Sequence, residues 1–150
     1  MSQLLEHSPA DVLRYALVAA GLGVMPNTTG SWPVSVGTEP NKPDLVITCK
    51  DTHGRVGGHY GTGDRDEFYG VQLVLRANDK PSLWVKLNQL ANAFDTDRAH
   101  FYRVTVTLGA KTYLLENVTR RDNGIPMGPE RESARETAVL NVWLTITPTN

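Results

Sequence analysis

Apolar residues recur at helical spacing in two stretches of this chain, and nearly everywhere else they alternate with a period of two. The first helical stretch is "SPADVLRYALVAAGLG". Ser8 supplies an N-cap oxygen, Pro9 suits the first helical position, Asp11 falls in the first turn, and Gly21 and Gly23 end the helix. Val12, Leu13, Ala16, Leu17 and Ala20 make one stripe fit to lie on a sheet, with Arg14 pointing away from it. The second spans residues 80 to 95, with Asp79 near its start. There Leu83, Leu87, Leu90 and Phe94 keep helical register, and Trp84 and Ala91 widen the apolar face.

The remaining apolar pattern reads as strands. "SWPVSVG" holds Pro33, which removes a ladder donor and so suits an edge or lead-in segment. "DLVITCKD" alternates Leu45, Ile47 and Cys49 against Val46 and Thr48, and "EFYGVQLVLRAND" sets Tyr69, Val71, Leu73 and Leu75 against Gln72, Val74 and Arg76. "HFYRVTVTLGAKTYLLENVTR" predicts two strands joined at Gly109-Ala110, and "TAVLNVWLTIT" another with Leu140, Val142, Leu144 and Ile146 aligned. Helix, strands, helix, strands is not the strict alternation that demands a parallel sheet. The expectation is one α+β domain over residues 1–150, with a mostly antiparallel sheet of about five strands and two helices packed on one face. Val74, Val139 and Trp143 would then lie on an uncovered face that wants a partner subunit. The expected core is Leu13, Leu17, Leu45, Ile47, Leu73, Leu75, Leu87, Leu90, Val104, Val106, Leu140, Val142 and Leu144.

Composition excludes several classes. Fifteen basic residues balance sixteen acidic ones, so no global field would hold a nucleic-acid backbone by counterion release. A single cysteine, Cys49, excludes an internal disulfide and reads as a small buried hydrophobe whose change to Ser is expected to be neutral. The opening residues lack a basic leader and break their apolar run at Asp11 and Arg14, which predicts a reducing cytoplasm and makes the N-x-T sequons at Asn27 and Asn117 chance matches. No stretch is long and apolar enough to span a membrane.

"GRVGGHYGTGD", residues 54 to 64, packs five glycines into eleven residues and is the stretch most like a site. It lacks the Lys of a phosphate loop, and its spacing departs from the dinucleotide pattern, with a strand following where a helix should receive the pyrophosphate. A zinc set would have to gather Cys49, His53, His59 and Asp64 or His100 through a folded-back glycine loop, so solvent-exposed histidines are the expectation. There is no G-x-S-x-G elbow and no thiol-enzyme signature around Cys49. The acidic groups Asp64/Asp66/Glu67 and Glu130/Glu132 are interleaved with Arg65 and Arg131, the mark of a solvated, ion-paired loop. The residues therefore point to no enzyme, no metal and no cofactor.

Two polar segments remain, about 51–67 and 119–136, both read as long mobile insertions between strands. The second sets Arg120, Arg121, Arg131 and Arg135 against Asp122, Glu130, Glu132 and Glu136, which suits a specific polar contact between subunits more than a DNA clamp. The first reads as an assembly arm, with Arg55, Asp64 and Arg65 making charged contacts and Tyr60 as apolar anchor. With Trp143 on the open face, these are the expected interface residues.

"WPVSVGTEPNKPDLVITCKDTHG", then "YGVQLVLRAND" leading into an amphipathic helix, then "PMGPERESARETAVLNVWLTI", occur here in one combination. In that order of elements the chain resembles the small tail-completion proteins of long-tailed bacteriophages, called tail terminators or minor capsid proteins. The resemblance implies a non-enzymatic virion subunit at the head-tail junction, assembled in the host cytoplasm. It would form a homo-oligomeric ring, commonly six-fold, on the head-proximal end of the tail tube. Its partners would be copies of itself, the tail tube protein and a head-completion or connector protein, with DNA only as passing cargo and no membrane. The stretch between Cys49 and Phe68 is longer than the family leads one to expect, so no role is carried over to it. Alternatives are a neighbouring neck protein, a small hydrolase built on the histidines, or a nucleic-acid or small-ligand module stacking its ligand on Tyr60, Tyr69 and Trp143.

Overall fold

The structure is a computed structural model that describes residues 5–59, 65–129 and 135–149. Helix α1 (Pro9–Ala19) leads through a short bridge at Val24 and Pro33 to β1 (Val34–Val36), β2 (Val46–His59) and β3 (Arg65–Ala77). Helices α2 (Lys80–Thr96) and α3 (Arg98–Phe101) follow, then β4 (Tyr102–Leu108), β5 (Lys111–Arg120), β6 (Ile125–Pro129) and β7 (Glu136–Thr149). The sheet runs β1-β2-β3-β7-β5-β4, with β6 also on β7, and only the β1–β2 pair is parallel. It is thus the α+β, mostly antiparallel architecture expected, with two substantial helices packed against a curled sheet. Among the described residues there are seven strands where about five were expected, the short β1 and β6 making the difference.

Both helices start where their caps predict. The Ser8 side chain accepts from the Asp11 N–H at 3.2 Å, and Asp79 accepts from the Ser82 N–H at 2.8 Å. An unforeseen second cap serves α1: the Asp51 carboxylate of β2 accepts from the Ala10 N–H at 2.9 Å, joining the helix to the sheet. Arg14 is drawn inward rather than away, its side chain only 20 % exposed and 3.4 Å from Asp11.

The core lies between the helices and one face of the sheet. Register sets Ile47 opposite Leu75 and Cys49 opposite Leu73, then Leu73 opposite Leu140 and Val71 opposite Val142, so alternate residues of β2, β3 and β7 form one buried layer. Val12, Leu13, Ala16 and Leu17 of α1 and Leu83, Leu87, Leu90 and Phe94 of α2 close it. Of the expected core, Leu45 and Val104 are only partly buried: Leu45 precedes β2 in the crossover, and Val104 lies in β4, the outermost strand.

The second sheet face departs from expectation. Parallel β1 and β2 need a crossover, and residues 37–45 make it over this face. Lys50 reaches Glu39 at 2.7 Å, Arg76 donates to the Pro43 and Asp44 carbonyls at 2.6 and 3.3 Å, and Arg135 donates to the Asn41 carbonyl at 2.6 Å. Val46, Thr48, Val74 and Arg76 are consequently buried. Val74 is therefore not on an open face, while Val139 and Trp143 beyond the crossover are half-buried.

The two expected insertions are largely strand. Residues 51–59 continue β2 and 65–67 continue β3, and register shifts between Thr52 and Arg55 and between Val56 and His59 absorb the glycine-rich sequence as bulges. In 119–136, β5 runs to Arg120, a turn occupies 121–124, and Ile125–Pro129 pair with Glu136–Val139. Polar composition marked these segments as loops, but ladder pairing needs only backbone groups.

Candidate functional site

The last pair between β3 and β7 is Tyr69 with Leu144. Beyond it the strands part: β7 continues against β5 as far as Thr149, while Arg65–Phe68 continue against β2 alone. β1 covers β2 only at Ile47–Cys49. Residues 53–59 and 65–68 thus form a two-stranded ribbon whose outer edges pair with no strand among the described residues. The four residues of β3 beyond Tyr69, about 13 Å of strand at about 3.4 Å per residue, pair with β2 but not with β7, which runs on in the same direction to Thr149. Arg55 lies in this ribbon opposite Phe68, and Arg65 lies opposite His59. Tyr60 and Asp64 fall outside the described residues.

An aromatic cluster braces the ribbon's root. Phe68 and Trp143 stand 6.0 Å apart between ring centroids, tilted by 40°, and the Arg121 guanidinium lies 4.7 Å from the centre of the indole. Gly70 opposes Trp143 in the ladder, and the missing side chain there leaves space for the indole on that face. Trp143 is thus a buttress between the ribbon and the 121–124 turn. A nucleobase stacked on it would have to displace Arg121 or Phe68.

The other arginines are engaged within the chain. Arg120 grips Asp95 of α2 through Nε (3.0 Å to Oδ1) and Nη2 (2.6 Å to Oδ2), and its Nη1 donates to the Asp122 carbonyl and to Asn123 Oδ1. The Arg120 guanidinium holds the Asp95 carboxyl below its usual range, and Asp95 in turn raises Arg120. Arg135 ties the start of β7 to Asn41 and Asp44 of the crossover. Arg131 and the acidic pair Glu130/Glu132 lie outside the described residues.

Residues missed in the sequence complete this region. Asp122 accepts from the Gly124 N–H at 2.9 Å and from Asn141 Nδ2 at 2.8 Å, and Gln72 donates to Asn141 Oδ1 at 3.2 Å. The turn after β5 is thereby fastened to β7 and β3. "DNG" after a strand was the available signal, an Asx turn with glycine at positive φ.

Metal chemistry gains nothing from the described side chains, among which no three His, Cys, Asp or Glu residues are placed to share an ion. Cys49 is fully buried, and burial pushes its thiol up to about 12, so it offers no thiolate near neutral pH. His100 binds its own helix-capping Asp97 at 2.8 Å. The described arrangement can make contacts: it offers a ribbon whose outer edges pair with no strand among the described residues, an aromatic root and a surface of both charges. Compared with known proteins, the chain matches no family model and no curated protein sequence.

Proposed function

We propose that this chain is a ring-forming tail terminator, a non-enzymatic subunit that caps the head-proximal end of a bacteriophage tail tube and joins it to the head connector. The observation carrying this reading is the ribbon beyond Tyr69, whose outer edges pair with no strand among the described residues. An exposed strand pair is a template for another chain, and a soluble protein that keeps one without a partner risks aggregation. A ring gives such a surface a defined partner, because a contact between two different patches closes when the rotation per subunit divides the circle. The balanced charge fits a lumen through which DNA passes without being held. The partners are further copies of the chain, the tube protein below and a head-completion protein above. A neighbouring neck protein would share these features, and the occupied face of Trp143 disfavours the nucleic-acid module.

Native mass spectrometry of the pure chain over a range of concentrations tests the proposal. A closed ring appears as one discrete multiple of the protomer mass that grows with concentration, without a ladder of larger species. A single protomer mass at every concentration, or an open-ended ladder, refutes it.

A further inference from the structure

The buried stripe of α2 carries one residue that packing does not ask for. Leu83, Leu87, Leu90 and Phe94 are apolar, and the fifth buried residue of the helix is Lys86, 6 % exposed. Burying an ammonium is costly unless it is paired, and a methionine would fill similar space without that cost. Lys86 forms no ion pair among the described residues. Its Nζ donates to Gln89 Oε1 at 3.0 Å and lies 5.5 Å from the centre of the Trp32 indole. An ammonium has three N–H donors, so the bond to Gln89 does not exhaust it.

Lys86, Gln89 and Trp32 all line one cleft of about 420 Å³, with Leu45, Pro81, Ser82 and Val85 as its other walls. The cleft lies where the loop before β1, the end of the β1–β2 crossover and the first turns of α2 meet. Its size falls within that of small-molecule sites, ~300–1,000 Å³, and its lining is of their kind, apolar with a few polar groups.

Trp32 is held at this place by its loop. It adopts φ +62, a region that a residue with a Cβ enters only at a cost. Its carbonyl accepts from the Val24 N–H at 3.1 Å, and the Val34 N–H donates to the Val24 carbonyl at 2.8 Å, which closes the loop at its neck. Two glycines permit the closure. A Cβ at Gly23 would meet the Trp32 carbonyl oxygen at 2.7 Å, and one at Gly30 would meet Val24 Cγ1 at 2.7 Å. A strained, tightly closed loop thus sets an indole against a buried amine.

We propose that this cleft binds a small organic acid, its carboxylate on the Lys86 ammonium and its flat apolar body against Trp32 and Val85. Charge selects the class. A carboxylate supplies the counter-charge that the described residues do not, through a charge-assisted hydrogen bond, whereas a cation would be repelled and a neutral ligand would leave the ammonium unpaired. Burial lowers the pKa of the Lys86 amine, and a bound carboxylate opposes that shift. The apolar body covers Val85, which is 70 % exposed. None of the ribbon residues takes part, so the site stands apart from the ring reading.

NMR titration of the isotope-labelled chain with benzoate, and separately with benzamide, tests the proposal. Benzoate should shift the Trp32 indole and the amides of residues 81–89 saturably. Benzamide has the same shape without the charge and should bind about tenfold or more weakly. Lys86→Met keeps the length of the side chain and removes its charge, so it should bring the two ligands to equal affinity. The proposal is overturned by the absence of a saturable benzoate shift at Trp32 up to ~10 mM, by equal binding of acid and amide to the wild-type chain, or by a preference for the acid that survives Lys86→Met. The comparison of acid with amide is made on the wild-type chain, so it decides even where Lys86→Met does not fold.

Discussion

Gly124 sits at φ +90 in the turn between β5 and β6, directly over α2. A Cβ built there would lie 2.6, 2.8 and 2.9 Å from Leu87 Cδ2, Cδ1 and Cγ. Two costs follow for Gly124→Ala. A residue with a Cβ pays ~1–2 kcal/mol in the left-handed region. Leu87 is 1 % exposed and packed on every side, so relieving the overlap adds ~1–3 kcal/mol of overpacking. The sum is ~2–5 kcal/mol, a large effect for one methyl group in a polar turn. Leu87→Ala alone leaves a cavity and costs a similar ~2–5 kcal/mol. In the double variant the new methyl enters the space Leu87 vacated, so the overlap cost disappears, and the pair should destabilise less than the sum of the singles by ~1–3 kcal/mol. Urea unfolding of all four chains measures this. Single-variant losses that simply add, or a Gly124→Ala loss below ~1 kcal/mol, would refute the packing of this turn on α2 and with it the strand assignment for β6.

The Asp95 carboxyl, held low by Arg120, should titrate in NMR below an ordinary aspartate and return to the usual range in Arg120→Gln. Its folded pKa is depressed, so whatever stability the pair gives is present above the unfolded pKa and is lost as pH falls through the folded one; the pH dependence of unfolding should flatten in that acid window in Arg120→Gln. Native Cys49 should resist iodoacetamide at pH 8 and react once the chain unfolds, and Cys49→Ser should cost ~1–3 kcal/mol, contrary to the neutrality expected from sequence, because the hydroxyl enters a wholly buried site. The Lys86 amine is lowered by burial, so protonating it opposes folding: stability should rise as pH climbs through its folded pKa, and Lys86→Met should abolish that rise. Replacing residues 56–62 with a short Gly-Ser turn should leave the thermal midpoint nearly unchanged, since Val56 and His59 are paired with β3 and with no other strand among the described residues, and should abolish the multimer; a large drop in midpoint would make the ribbon part of the fold.

Helix limits and the central layer were readable because they follow from local chemistry. Ser8 and Asp79 announce their helices through a side-chain oxygen within three residues of the N–H it serves. The alternation in "YGVQLVLRA" needs no partner to be recognised. The ribbon was not readable, since the glycines of 54–63 are equally compatible with a loop and with bulged strands; the choice lies in backbone pairing across the chain, which side-chain pattern does not report. The intrachain partners of the arginines were not readable for a related reason. Arg120 and Arg135 sit in segments that look solvated, and their partners, Asp95 and Asn41, are 25 and 94 residues away.

By itself, then, the sequence determined what depends on spacing along the chain: two capped amphipathic helices, strands with one apolar face, a mostly antiparallel α+β domain, and a buried thiol. Tertiary structure alone decided which edges and faces stay open. The β1–β2 crossover covers part of the second face, the parting of β3 from β7 leaves the ribbon paired through β2, and the order of strands leaves β4 outermost with a groove beside it. Each of these is a relation between segments distant in sequence, set by which backbone hydrogen bonds form across the fold, and an unpaired edge exists only once every other pairing has been made.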